Sequence, residues 1–171
     1  MFFVIQILLI LVLFSVQTTL LQFFSFAGVT PDLALIFVVF SAIQFRGNLG
    51  IGMGFMVGLI QDCLSGGLLG ANTLSKSLVA FFFSTLKDKI IVEGFLPIFL
   101  FIITASLMDG LIGYLVLVTL LKGAIPGKFL ISTLPVYAVY NALVGPVLFY
   151  ILGGIRKWIL DKFPNHYIRS S

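Results

Sequence analysis

Apolar positions fill the chain in long runs, broken by short polar or glycine-rich interruptions. The first run extends from Met1 to about Phe24, and the second from Pro31 to Phe45, where Arg46-Gly47-Asn48 ends it. The third covers 49–64 and stops at Ser65-Gly66-Gly67; the fourth covers 68–86 and stops at Lys87-Asp88-Lys89. The fifth covers 91–121, Lys122 to Lys128 makes a turn, the sixth covers 129–160, and 161–171 is a polar tail. None of the runs alternates with period two, and most far exceed a strand, so the pattern predicts six helices. At about 1.5 Å per residue, a hydrocarbon core of about 30 Å takes roughly 20 residues. The expected fold is therefore all-α: a polytopic integral membrane protein, one transmembrane domain over 1–171 with six transmembrane helices.

Local signals refine this plan. Met1-Phe2-Phe3-Val4-Ile5-Gln6 carries no positive charge, so the first run reads as a retained helix rather than a signal peptide. Gln6, Gln17 and Gln22 are expected to face other helices. Thr30 is placed to cap the second helix, with Pro31 at its first position and Asp32 complementing the positive end of its dipole. Helices 2 to 4 are short for full spans, so they stand nearly upright or end in the headgroup region. Helix 5 is too long and is expected to begin as an interfacial piece near Pro97. Pro135 and Pro146 are expected to bend helix 6.

Composition agrees. The chain is 60% hydrophobic and 9% charged, with mean hydropathy +1.21, whereas soluble domains are about 25% charged. Lipid must be the solvent. The net charge of +4 bears on topology: Arg46, Lys87, Lys89, Arg156, Lys157, Lys162 and Arg169 fall on the side of the N-terminus, and Lys122 and Lys128 on the other. The positive-inside rule then places both termini in the cytoplasm. The basic residues form no stripe that could follow a phosphate backbone, so nucleic acid is not an expected partner. A lone cysteine, Cys63, excludes an internal disulfide.

Little points to catalysis. The one histidine, His166, lies in the polar tail, away from any membrane site. Asp62 and Asp109 lie in helices but lack the sequence context of intramembrane aspartyl proteases. Neither a metal nor a cofactor is expected. Ionisable residues at membrane depth are costly unless paired or hydrated, which singles out Asp62, Lys76 and Asp109. Lys76 is placed to reach Asp62 across the Ser65–Gly70 turn. That pair reads as an ion pair fastening helices 3 and 4, or as part of a polar pocket for a ligand or partner. Asp109 joins it or faces a separate cavity. Gly50, Gly54 and Gly58, four residues apart, make a small-residue face suited to packing within the chain rather than to dimerisation.

The stretch from Gly54 to Gly70, with Asp62, Ser65, Gly66 and Gly70 in place, resembles the MreD family of bacterial rod-shape determination. Pro31-Asp32-Leu33 resembles the start of that family's second helix, and Tyr140-Asn141 with Pro146 its last helix. The resemblance implies a non-enzymatic scaffold of the cell-elongation machinery in the bacterial inner membrane. Implied partners are MreC and, through the complex, MreB, RodA and its partner transpeptidase during side-wall peptidoglycan synthesis. The six-helix plan is also similar to the substrate-binding components of energy-coupling-factor vitamin transporters, so a vitamin-like small-ligand binder is the alternative. The short outer loops and the position of Trp158 near the inner interface favour the scaffold. MreC is expected to dock on helix 1, at Gln17, Thr18, Thr19 and Gln22.

Overall fold

The computed structural model describes residues 2–19, 28–45, 48–66, 68–87, 94–121 and 129–162. Six helices run through them: α1 (Phe2–Thr19), α2 (Leu33–Gln44), α3 (Leu49–Ser65), α4 (Ala71–Leu86), α5 (Phe95–Leu121) and α6 (Leu134–Lys162). A π-helical turn, Phe129–Thr133, leads into α6. No strand occurs among the described residues.

α2 is the core. Ten consecutive residues, Leu33 to Ala42, are buried, and the helix packs against all five others. A helix apolar on every side is stable only where every side is covered. Its 12 residues reach only about 18 Å, which is tolerable because neighbouring helices, not lipid, surround it. Phe40 meets Phe149 edge-on at 5.3 Å, and Phe83 meets Phe101 at 5.6 Å. Ile102, 0% exposed, fits against Gly145, where a Cβ would come within 2.7 Å of it.

The outside is apolar too. Leu8 and Val12 of α1, Leu115 and Leu120 of α5, and Val147 and Tyr150 of α6 are each more than half exposed. Contiguous apolar surface of this extent belongs against lipid or another helix. Residues Phe95–Leu120 and Leu130–Ile159 are long and apolar enough to cross a bilayer; the apolar stretches of α1, α2 and α3 are shorter.

Several boundaries differ from the sequence expectation. α1 ends at Thr19, and 20–27 lie outside the described residues. α2 starts after Asp32, which is its N-cap: Asp32 Oδ1 accepts from the Leu35 amide at 3.0 Å. Thr30 and Pro31 precede the helix, because the longer-reaching acceptor sits one residue before its first turn. α4 begins at Ala71, beyond Gly70 at φ 99°, not at Leu68. α5 begins at Phe95, after Gly94 at φ 95°. α6 takes in Asp161 and Lys162, which the sequence assigned to the tail. Pro135 stands in the first turn of α6, directly after the π-helical turn; Pro146 lies inside the helix.

The helices share two ends. At one, Lys87 Nζ donates to the Phe45 carbonyl at 2.7 Å and Arg156 Nη2 to the Gln44 carbonyl at 3.5 Å. The C-terminal ends of α2, α4 and α6 therefore lie together, with cations on the negative end of α2. The polar cluster described next lies toward the other end.

Candidate functional site: a buried cluster around Lys76

Lys76, on α4, is 0% exposed. Its ammonium lies 3.0 Å from Asp32 Oδ2 and 3.4 Å from Asp109 Oδ1. Asp62, the partner expected from sequence, takes no part. Asp62 instead faces the start of α4, before Lys76 in the chain.

Every helix contributes to this cluster. From α1, Gln17 Nε2 donates to Asp32 Oδ1 at 3.5 Å, and its Oε1 accepts from the Ala34 amide. From α3, Gln61 Nε2 donates to Asp32 Oδ2 at 3.3 Å. From α4, Ser75 Oγ donates to Asp109 Oδ1 at 2.5 Å. From α6, the Tyr137 hydroxyl lies 3.0 Å from Asp109 Oδ2 and 3.4 Å from Asp32 Oδ2. Asn141 completes the frame. Its Oδ1 accepts from the Asp32 amide at 2.7 Å, and its Nδ2 donates to Ser106 of α5 at 3.0 Å. A buried charge left unpaired is strongly destabilising, whereas one held by partners and hydrogen bonds is tolerated. Here the ammonium is met by the carboxylates of Asp32, which caps α2, and Asp109 of α5, and side chains from α1, α3, α4 and α6 hold those carboxylates in turn.

Asp62 does different work. α4 has no side-chain cap of its own, since its N-cap residue is Gly70. The Asp62 carboxylate, 1% exposed, accepts from the amides of Gly70, Asn72 and Thr73 at 2.9–3.0 Å. It also accepts from Asn72 Nδ2 at 3.0 Å and Thr73 Oγ1 at 2.6 Å. A carboxylate from α3 thus caps α4, satisfying amides that have no intrahelical partner and meeting the positive end of the dipole. Gly66 closes α3 at φ 62°, and Ser65 Oγ donates to the Asp62 carbonyl at 3.4 Å.

The glycine row brings the backbones together. A Cβ on Gly50 would stand 2.7 Å from the Ala42 Cα of α2. On Gly54 it would meet Ala80 Cβ at 2.5 Å, and on Gly58 the Thr73 Cα at 2.5 Å. The row therefore faces α2 and α4, inside the chain. That close approach is what lets Asp62 reach the α4 amides.

Of the expected docking residues, Gln17 is turned inward onto Asp32, because an amide at membrane depth seeks a polar partner. Thr18 is exposed, with its hydroxyl on the Phe14 carbonyl at 2.8 Å. Thr19 is exposed, and Gln22 lies outside the described residues. Sequence reasoning missed Gln61, Ser75, Ser106 and Tyr137, and gave Asp32 only a role at its own helix. A signal was present: Ser106 and Asp109 are three apart, and Tyr137 and Asn141 four apart, which puts each polar pair on one helix face.

Beside the cluster lies a cavity of about 450 Å³, lined among others by Asn72, Ser75, Asp109, Gly113, Tyr114 and Tyr137. Among the described residues, no three His, Cys, Asp or Glu side chains come together in a metal-binding group.

A family model described as rod shape-determining protein MreD matches residues 1–159. The chain belongs to the MreD family. No curated protein and no solved structure matches it. As an MreD-family chain it is a membrane protein of rod-shape determination. The matched stretch takes in every side chain of the Lys76 cluster, the Asp62 cap and the glycine row.

Proposed function

We propose that this protein is a non-enzymatic scaffold of the cell-elongation machinery, held in the bacterial inner membrane by six spans with both termini cytoplasmic. Its direct partner is MreC. Through that complex it acts with MreB, RodA and RodA's partner transpeptidase in side-wall peptidoglycan synthesis. The family match over residues 1–159 is the observation that carries this reading. Two features support it. The Lys76 cluster ties six helices into one rigid unit, which suits a platform. Trp158 is exposed, with Lys162 Nζ 4.6 Å from its ring, an aromatic–basic pair suited to the cytoplasmic interface.

Co-purification in mild detergent tests it. MreC should be retained by the tagged protein from membranes containing both, and RodA should follow only when MreC is present. Failure to retain MreC sinks the scaffold reading. The cavity beside Asp109 favours one second reading, a vitamin-like small-ligand component similar in plan to those of energy-coupling-factor transporters. Vitamins that raise the unfolding temperature of a protein unable to capture MreC would put that reading first.

A further inference from the structure

The charges of the central cluster do not balance. Asp32 and Asp109 face a single ammonium, Lys76. Their hydrogen bonding is uneven as well. Asp32 is well satisfied: Oδ1 accepts from the Leu35 amide and Gln17, and Oδ2 lies within reach of Lys76, Gln61 and Tyr137. Asp109 Oδ1 takes Ser75 and Lys76, but among the described residues Oδ2 has only the Tyr137 hydroxyl. That hydroxyl has one hydrogen to give, and Asp109 at 3.0 Å is nearer than Asp32 at 3.4 Å. The Asp109 side chain, 11% exposed, is also the carboxylate that lines the cavity. An excess negative charge with spare acceptor capacity therefore meets a half-open cavity of about 450 Å³, within the usual range for small-molecule sites.

We propose that this cavity binds a protonated amine, with Asp109 as its counter-ion. One carboxylate set among tyrosine and apolar side chains suits an ammonium, which gains from an ion pair and a charge-assisted hydrogen bond. A divalent cation needs about six oxygen ligands and is poorly served here. Leu117 and Val29 on the lining leave room for a short apolar portion. The amine belongs either to a free small molecule or to the ethanolamine headgroup of a lipid. The proposal stands apart from the MreC reading and is tested without MreC.

The parent protein in detergent is titrated with ethanolamine and its thermal unfolding followed. In parallel, it is placed in discs of mixed phosphatidylethanolamine and phosphatidylglycerol, and the retained lipid is counted by native mass spectrometry. A rise of roughly 3–6 °C at about ten times Kd indicates a free amine. Selective retention of phosphatidylethanolamine indicates the headgroup. Two variants remove the effect: Asp109→Asn, which deletes the counter-ion and weakens binding about tenfold or more, and Gly113→Leu, which fills the cavity. Gly113 lines the cavity and has no atom within 4 Å of an added Cβ, so that variant should fold as the parent does. Lys122 and Lys128 lie outside the described residues, and Lys122→Gln/Lys128→Gln is carried alongside and should bind as the parent does. No response to either probe in the parent overturns the proposal, as does a response that survives in Gly113→Leu. Marked tightening in the double lysine variant does so too, since it makes one of these lysines the native occupant.

Discussion

Lys76 and Asp32 are 44 positions apart in sequence, yet the ammonium of one lies 3.0 Å from the carboxylate of the other, the shorter of the two ion pairs that Lys76 makes. Lys76→Met should cost about 3–5 kcal/mol, because Asp32 and Asp109 are then left without a cation. Asp32→Asn in the Lys76→Met background should restore part of that loss, since the amide still caps α2 and the excess charge is reduced. Chemical unfolding of the two single variants and the double in one detergent gives the coupling. Equal and additive losses would mean that the two residues do not interact.

The same cycle built on Asp62 and Lys76 should be additive, because the Asp62 carboxylate is fully occupied at the start of α4. Asp62→Ala strips five accepted hydrogen bonds and should cost about 3 kcal/mol, more than an ordinary cap. Hydrogen–deuterium exchange localises the effect. The amides of Asn72 and Thr73 should exchange faster, while those of α2 stay protected. Uniform loss of protection across both helices would refute a capping role.

How far the sequence carried the structure follows from these two aspartates. Helix number, the breaks between helices and the polar membrane residues were legible, because each depends on neighbours within a turn or two. Which carboxylate met Lys76 was not. Asp62 is nearer in sequence, but the turn at Gly66 and Gly70 aims it at backbone amides, and Asp32 arrives from a helix packed against both α3 and α4. Pairing of that kind is decided by tertiary packing. The burial of α2 was likewise hidden: its apolar run looks like a short span, and only the surrounding helices make it a core.

The glycines of α3 should separate sharply in their tolerance of a methyl group. Gly58→Ala places a Cβ 2.5 Å from the Thr73 backbone, which cannot yield without moving α4, so a loss of about 2 kcal/mol or more is expected. Gly52 has no atom within 4 Å of an added Cβ, and Gly52→Ala should be neutral or stabilising by up to about 1 kcal/mol through helix propensity. Thermal unfolding of both variants settles it. Equal effects would mean that α3 and α4 are not in close backbone contact.

Topology yields to reporter fusions. If Arg46, Lys87, Lys89 and the basic end of α6 share one side, as expected from sequence, a fusion after Ser171 should report the cytoplasm and one within 122–128 the periplasm. The contacts of Lys87 and Arg156 with the end of α2 support the grouping of these cations. A periplasmic signal from the C-terminal fusion would end the six-span proposal.

Capture of MreC is expected to depend on the outer face of α1 and not on its glutamine. Ile7, Leu8, Leu11 and Val12 are 46–58% exposed and fall on one side of the helix, while Gln17 points the other way, onto Asp32. Lipid already satisfies apolar side chains, so a partner helix gains chiefly from close packing, and bulk added to that face should prevent it. Leu8→Trp with Val12→Trp should leave unfolding unchanged and weaken MreC capture. Gln17→Leu should do the reverse, losing about 1 kcal/mol of stability with its bond to Asp32 while capture per folded molecule stays constant. Undiminished capture by the tryptophan pair, with loss on equivalent substitutions at Val147 and Ile151 of α6, would move the docking face to the opposite end of the chain.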